Sequence, residues 1–152
     1  MEDQATILIV GDDSTTVRAQ TSNLEANGYT VVRASHGEEA LHRARETRPQ
    51  VTIVNLASIA GDGVEICRRI QMEPALEHPI VLVSGPEIAP HEPMAELEAA
   101  ADGILPQPIA DREFLARVRD FLRIQRAEQA LRASKARYRE VFENAPIGIY
   151  RT

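Results

Sequence analysis

The chain has 152 residues, 43% hydrophobic and 26% charged, which suits one packed core with a short appendage and excludes wholesale disorder. Aromatics make up 4% and Trp is absent, so the core is aliphatic, and a single Cys excludes both an internal disulfide framework and a multi-Cys zinc site. The net charge of -6 argues against nucleic acid as a partner, because non-specific binding needs a cationic surface to displace counterions from phosphates.

In chain order, the acidic start Met1-Glu2-Asp3-Gln4 is unlike the cationic opening of a signal peptide, and no apolar run reaches membrane-spanning length. A cytoplasmic protein with no membrane partner is expected. Residues 6–10 (TILIV) form an unbroken apolar run, the pattern of a strand buried on both faces. Ser14 is placed to cap a helix through Val17, Leu24 and Ala26, with Gly28 as its stop. Residues 29–32 read as a second strand. Ser35 and Glu38 form a capping box for a helix carrying Ala40, Leu41 and Ala44, which ends before Pro49. Residues 51–54 are the third strand. After a loop over 57–61, Asp62 and Glu65 cap a helix through Ile66 and Ile70, where Cys67 reads as a small, at least half-buried hydrophobe. Residues 79–83 are the fourth strand. Pro86, Pro90 and Pro93 then leave only 94–101 able to be regular helix. Residues 103–105 are a short fifth strand, and Asp111 caps a final long helix.

Five alternations of strand and helix imply a parallel sheet with helices on both faces. Right-handed crossovers and one core favour an α/β, doubly wound, flavodoxin-like sheet in the order 2-1-3-4-5. Ligands of such sheets sit at the carboxyl ends of the strands, where the order reverses. Topology therefore singles out Gly11, Asp12, Asp13, Asn55, Ser84 and Gln107.

Residues 7–14 (ILIVGDDS), the stretch 49–63, Ser84 and residues 105–108 (LPQP) resemble, in order and spacing, the landmarks of two-component response-regulator receiver domains over residues 5–124. Residues 65–70 with 73–76 resemble the receivers of multidomain sensor kinases and diguanylate cyclases. The resemblance implies transfer of a phosphoryl group from phosphohistidine to an Asp ending strand three, with Mg²⁺ held by two acidic residues after strand one. It also implies a Ser or Thr after strand four and a Lys before a Pro after strand five. This chain departs from that pattern: Asn55 stands at the acceptor position, Gly11 at the first acidic position, and Gln107 at that of the Lys. Ile104 replaces the strand-five aromatic at the switch position. Asp12 and Ser84 are retained.

An amide oxygen is neutral and an amide nitrogen is conjugated, so Asn55 offers no nucleophile toward phosphorus. With two carboxylates gone, a Lys at 107 would lack partners, and Gln107 avoids a buried uncompensated cation. The expectation is an atypical receiver that is not phosphorylated, with no catalytic residue and no cofactor, and with Asp12 as the one candidate contact for Mg²⁺. Plainer roles compete: Asp12 as part of the first helix cap, Asp13 as a solvated loop charge, and Ser84 as a partner for backbone groups. A cis Gln107-Pro108 bond would be structural. His36, His42, His78 and His91 lack ligand spacing. Two alternatives are a phosphoryl-accepting receiver using Asp12 or Asp13, and a ligand-sensing pseudo-receiver whose altered pocket takes a small molecule.

Ile124, Ala127, Leu131, Ser134, Tyr138 and Val141 are spaced 3, 4, 3, 4 and 3 apart, a heptad ladder with Glu128, Arg132, Lys135 and Arg139 on the outer faces. A parallel homodimer through a helical coiled-coil linker, residues 125–143, is expected. A helix from Asp111 to about Glu143 would be roughly 50 Å long. Residues 138–152 resemble the entry into a PAS sensory domain, with 144–152 as its first residues. That implies a downstream output and a histidine kinase or other signalling protein as partner.

Overall fold

Each apolar run becomes a strand of one parallel sheet. The computed structural model describes residues 5–56, 63–76, 79–85 and 100–143, with 135–143 by backbone alone. The strands are β1 (Thr6–Val10), β2 (Thr30–Ala34), β3 (Val51–Asn55), β4 (Ile80–Gly85) and β5 (Gly103–Pro106), in the order β2-β1-β3-β4-β5. The helices are α1 (Thr15–Ala26), α2 (Gly37–Thr47), α3 (Gly63–Gln71) and α4 (Asp111–Glu143). This is the flavodoxin-like order expected from the alternation of elements.

Because successive side chains of a strand point to opposite faces, a run without polar interruption feeds two cores. Ile7 and Ile9 of β1 join Ile53, Leu82 and Leu105 under α1 and α4, where Val17, Leu24, Phe114, Val118 and Leu122 close the layer. Leu8 and Val10 join Val54, Val81 and Val83 under α2 and α3, with Leu41, Val64, Cys67 and Ile70. Each fully buried branched side chain contributes about 1.5–3 kcal/mol, so two aliphatic layers hold the sheet without aromatic bulk. Cys67 is fully buried, as a small hydrophobe would be.

The caps are local chemistry. Ser14 precedes α1 and its Oγ accepts from the Val17 N–H at 3.2 Å. Gly28, at φ +92, supplies the left-handed turn that stops the chain after Asn27. Ser35 does not pair with Glu38: its N–H and hydroxyl both donate to Glu39, and His36 is the N-cap of α2, its Nδ1 accepting from the Glu39 N–H. A helix starting one residue later brings Glu39, not Glu38, round to face Ser35. Arg48 ends α2 in the left-handed region at φ 48, ahead of Pro49.

Strand limits also shift. β2 runs Thr30–Ala34 because its ladder follows β1 to Val10, pairing Ala34 with it, while Tyr29 lies buried before the strand. β4 extends to Gly85 and β5 to Pro106, carrying Ser84 and Gly85 into the sheet. Asp111 is the first residue of α4, not its cap, since the Phe114 N–H already bonds the Ala110 carbonyl. The capping role of Asp62, the loop over 57–61, the helix at 94–99 and the 144–152 tail lie outside the described residues.

Candidate functional site

The carboxyl ends of β3 and β4 place Asn55 and Ser84 side by side as register partners. Gln107 follows β5, held by its N–H to the Gly85 carbonyl at 3.0 Å, with Gln107-Pro108 in the cis form. A fourth side chain comes from α1, where Val17, Gln20 and Leu24 are the buried stripe. Three expected residues and one unexpected one therefore meet at the head of the sheet.

They form a closed ring of neutral hydrogen bonds. The Asn55 Nδ2 donates to Gln20 Oε1 at 3.1 Å, and the Gln20 Nε2 donates to Ser84 Oγ at 3.1 Å. The Gln107 Nε2 donates to Ser84 Oγ at 2.7 Å and to Asn55 Oδ1 at 3.4 Å. Asn55 is 3% exposed and Gln20 is 5% exposed. Amides each offering donor and acceptor can satisfy one another at this depth with no net charge, which removes the cost of isolated buried polar groups. Ser84 thus accepts from two side-chain amides rather than serving backbone groups. Gln20 was missed by sequence reasoning, although a signal exists: a glutamine at the i+3 position between Val17 and Leu24 on a core-facing stripe.

The acidic residues do not join this ring. Gly11 is buried and donates its N–H to the Ala34 carbonyl at 2.8 Å. Asp12 is exposed, and its carbonyl accepts from Arg33 at 3.2 Å. Asp13 pairs with Arg18 at 2.8 Å and Arg33 at 3.6 Å. Hydrogen bonding to the Arg18 guanidinium holds the Asp13 carboxyl below its ordinary pKa. Its charge therefore faces arginines rather than the pocket, on a side chain that stays 63% exposed. For Mg²⁺, which prefers several anionic oxygens, the donor set is poor: Gly11 has no side chain, Asn55 is neutral and bonded, and Asp13 is taken by arginines. Among the described residues no three His, Cys, Asp or Glu side chains are grouped to hold a metal. The residues present do not fit that ion.

Beside the ring lies a cleft of about 430 Å³ between α1 and the start of α4, whose walls include Gln20, Gln107, Pro108 and Phe114. Ile104 on β5 is partly buried. On α4, Ile124, Ala127, Leu131 and Ser134 are exposed, with Ile124 at 45% and Leu131 at 55%. The side chains of Tyr138 and Val141 lie outside the described residues. No helix among the described residues is long and apolar enough to cross a membrane.

Comparison with known proteins agrees with this architecture. The response regulator receiver domain model matches residues 7–119. The alkaline phosphatase synthesis transcriptional regulatory protein PhoP of Bacillus subtilis is 32% identical over 142 residues, covering 93% of this chain and 58% of that protein. This chain therefore spans a little over half the length of that relative. Among solved structures, the chemotaxis response regulator CheY4 of Vibrio cholerae is 27% identical with a TM-score of 0.67, covering 78% of this chain and 98% of that one. The signal receiver domain of a modulated diguanylate cyclase from Desulfovibrio desulfuricans is 26% identical with a TM-score of 0.68, covering 83% and 99%.

Proposed function

The chain belongs to the response regulator receiver domain family, and from that premise we propose that it is a receiver that takes no phosphoryl group and works as a non-catalytic relay. The observation that carries this reading is the ring of Gln20, Asn55, Ser84 and Gln107. Its acceptor position holds a carboxamide whose nitrogen and oxygen are both engaged. A conjugated amide is not a nucleophile for phosphorus, and a neutral ring offers Mg²⁺ no anionic oxygen.

The relay runs through α4. Its 33 residues extend about 50 Å, well past the turns that pack on the sheet. The exposed Ile124 and Leu131 give it a seam suited to a second copy of the same helix. In a parallel pair at this register, Arg123 of one helix lies across from Glu128 of the other, a complementary charge pair. A histidine kinase or other signalling protein acting on the receiver would change the pairing of these helices and hence a PAS domain and output beyond them. A two-state helix pair is an element that both ends can bias.

Intact mass after incubation with acetyl phosphate and Mg²⁺, beside a receiver that is labelled under those conditions, tests the proposal. No added phosphoryl mass is expected. A stoichiometric gain would refute it and favour the alternative in which Asp12 or Asp13 accepts the group. The other alternative, ligand sensing, is favoured by the cleft walled by two ring members, Gln20 and Gln107. Melting of the chain against a metabolite panel, repeated with Gln20→Leu, separates that reading from pure relay.

A further inference from the structure

The buried stripe of α4 runs Phe114, Val118, Leu122 and Gln125, each no more than 2% exposed. Every described side chain beyond it, from Arg126 to Ser134, is half-buried or exposed. Gln125 therefore marks the last turn by which α4 is seated on the body. The first three positions are hydrocarbon. The last is an amide whose Oε1 is buried with no hydrogen-bond partner among the described residues. A buried acceptor left unmet carries its full desolvation cost, whereas the same group in water is satisfied. Docking the Gln125 turn thus carries a penalty that docking the three apolar turns does not.

Two neighbours sharpen the point. Gln20 also sits in a core-facing stripe, but its amide is bonded at both ends, to Asn55 and to Ser84. The helix α1 is pinned at its glutamine and α4 is not. The packing is also loose here, because Gln125 borders a cleft of about 480 Å³ at the amino ends of β3 and β4. Across that cleft, Gln50 is committed to the sheet: its N–H donates to the Thr6 carbonyl at 2.9 Å and its Oε1 accepts from the Thr6 N–H at 2.8 Å. An unmet polar group beside an open cleft is where a fold opens locally at low cost.

We propose that the turn from Leu122 to Gln125 is a joint with two positions. In one, Gln125 is docked as seen here. In the other, α4 bends at the Leu122 turn, the segment from Gln125 onward lifts from the body, and its amide gains water. Phe114 and Val118 stay docked in both. Glu143 lies 18 residues, or about 27 Å, beyond Gln125 along the helix, so a bend of about 10° displaces it by about 5 Å. Ala127 and Leu131 of the exposed seam ride on the moving part. The use of this joint as a switch rests on the proposed relay, whereas the joint itself does not.

The test is ¹⁵N relaxation dispersion on the 152-residue chain, which reads exchange on the μs–ms timescale of collective hinge motions. Exchange is expected over residues 122–130 and the facing segments 48–50 and 74–76, with a minor state of about 1%. The amides of Phe114 and Val118 should show none. Gln125→Met keeps the unbranched shape and removes the amide, so it should melt higher than the wild type and cut the minor state about tenfold. Gln129→Met, on the exposed next turn, should leave the exchange unchanged. A flat profile over 122–130 in the wild type would overturn the proposal. So would undiminished exchange in Gln125→Met, a lower melting point for that variant, or exchange spread evenly over the whole domain. A chain that shows the expected exchange and is also labelled by acetyl phosphate would keep the joint while refuting the relay.

Discussion

Restoring a carboxylate at the ring, Asn55→Asp, tests whether the pocket has been rebuilt around neutrality. Asn55 is 3% exposed, so the new carboxylate is stripped of water, and its neighbours Gln20, Ser84 and Gln107 carry no charge. The ring can adapt in part. If the Gln20 amide turns over, its Nε2 donates to the carboxylate while the Ser84 hydroxyl donates to Gln20 Oε1. With Gln107 Nε2, that makes two hydrogen bonds to a charge, each about 1.5–3 kcal/mol in place of a neutral one of about 0.5–1.5, a gain of about 2–3 kcal/mol in all. Against them stands the cost of a buried charge without an ionic partner, about 3–5 kcal/mol. After the reorganisation of Gln20, a net loss of about 2 kcal/mol at pH 8 is expected, or about 4–8 °C in Tm for a domain of this size. Desolvation raises the pKa of the new carboxyl, so the folded state holds its proton at higher pH than the unfolded state. The penalty is therefore absent below the ordinary carboxylate range, grows as pH rises through it, and is complete above the raised pKa. Urea unfolding of wild type and variant at about pH 4 and at pH 8 reads this difference. Adding Gln107→Lys should recover at least half of the loss at pH 8. Equal stability of N55D and wild type at pH 8, or an equal loss at both pH values, would refute the charge argument.

Two further outcomes follow from the helix and the surface. Leu131→Glu places a charge on the exposed seam of α4 and should convert the proposed dimer to a monomer in light scattering. Stability of the body should stay within about 0.5 kcal/mol, because Leu131 is 55% exposed and belongs to neither buried layer. The Arg45 guanidinium, hydrogen-bonded to Glu73 at 2.8 Å, holds that carboxyl below its ordinary range, with help from the Ala75 N–H. Its folded pKa is depressed, so its contribution is present above the unfolded value and disappears as pH falls through the folded one. Glu73→Gln should therefore lose less stability than wild type between about pH 5 and pH 3 in denaturant titrations.

The layout of the fold was legible because its signal is local. Unbroken apolar runs such as Thr6–Val10 admit no amphipathic surface strand, and their alternation with capped helical stretches leaves few topologies. Ser14 and Gly28 were readable for the same reason, since cap and stop act within a few residues of themselves. Where the reading slipped, a one-residue offset of a helix start decided which glutamate faced Ser35, and sheet pairing carried β2 and β4 past their apolar cores.

The chemistry divides along the same line. That position 55 is an amide, position 11 lacks a side chain and position 107 is uncharged belongs to the sequence alone, and residue chemistry excludes Asn55 as a phosphorus nucleophile without any coordinates. How those neutral groups are satisfied was decided by tertiary structure, because Gln20 and Ser84 are 64 residues apart and meet only when α1 packs across the head of the sheet. A hydrogen bond is made over about 3 Å, and no periodicity in a sequence encodes which distant side chains will come within that reach.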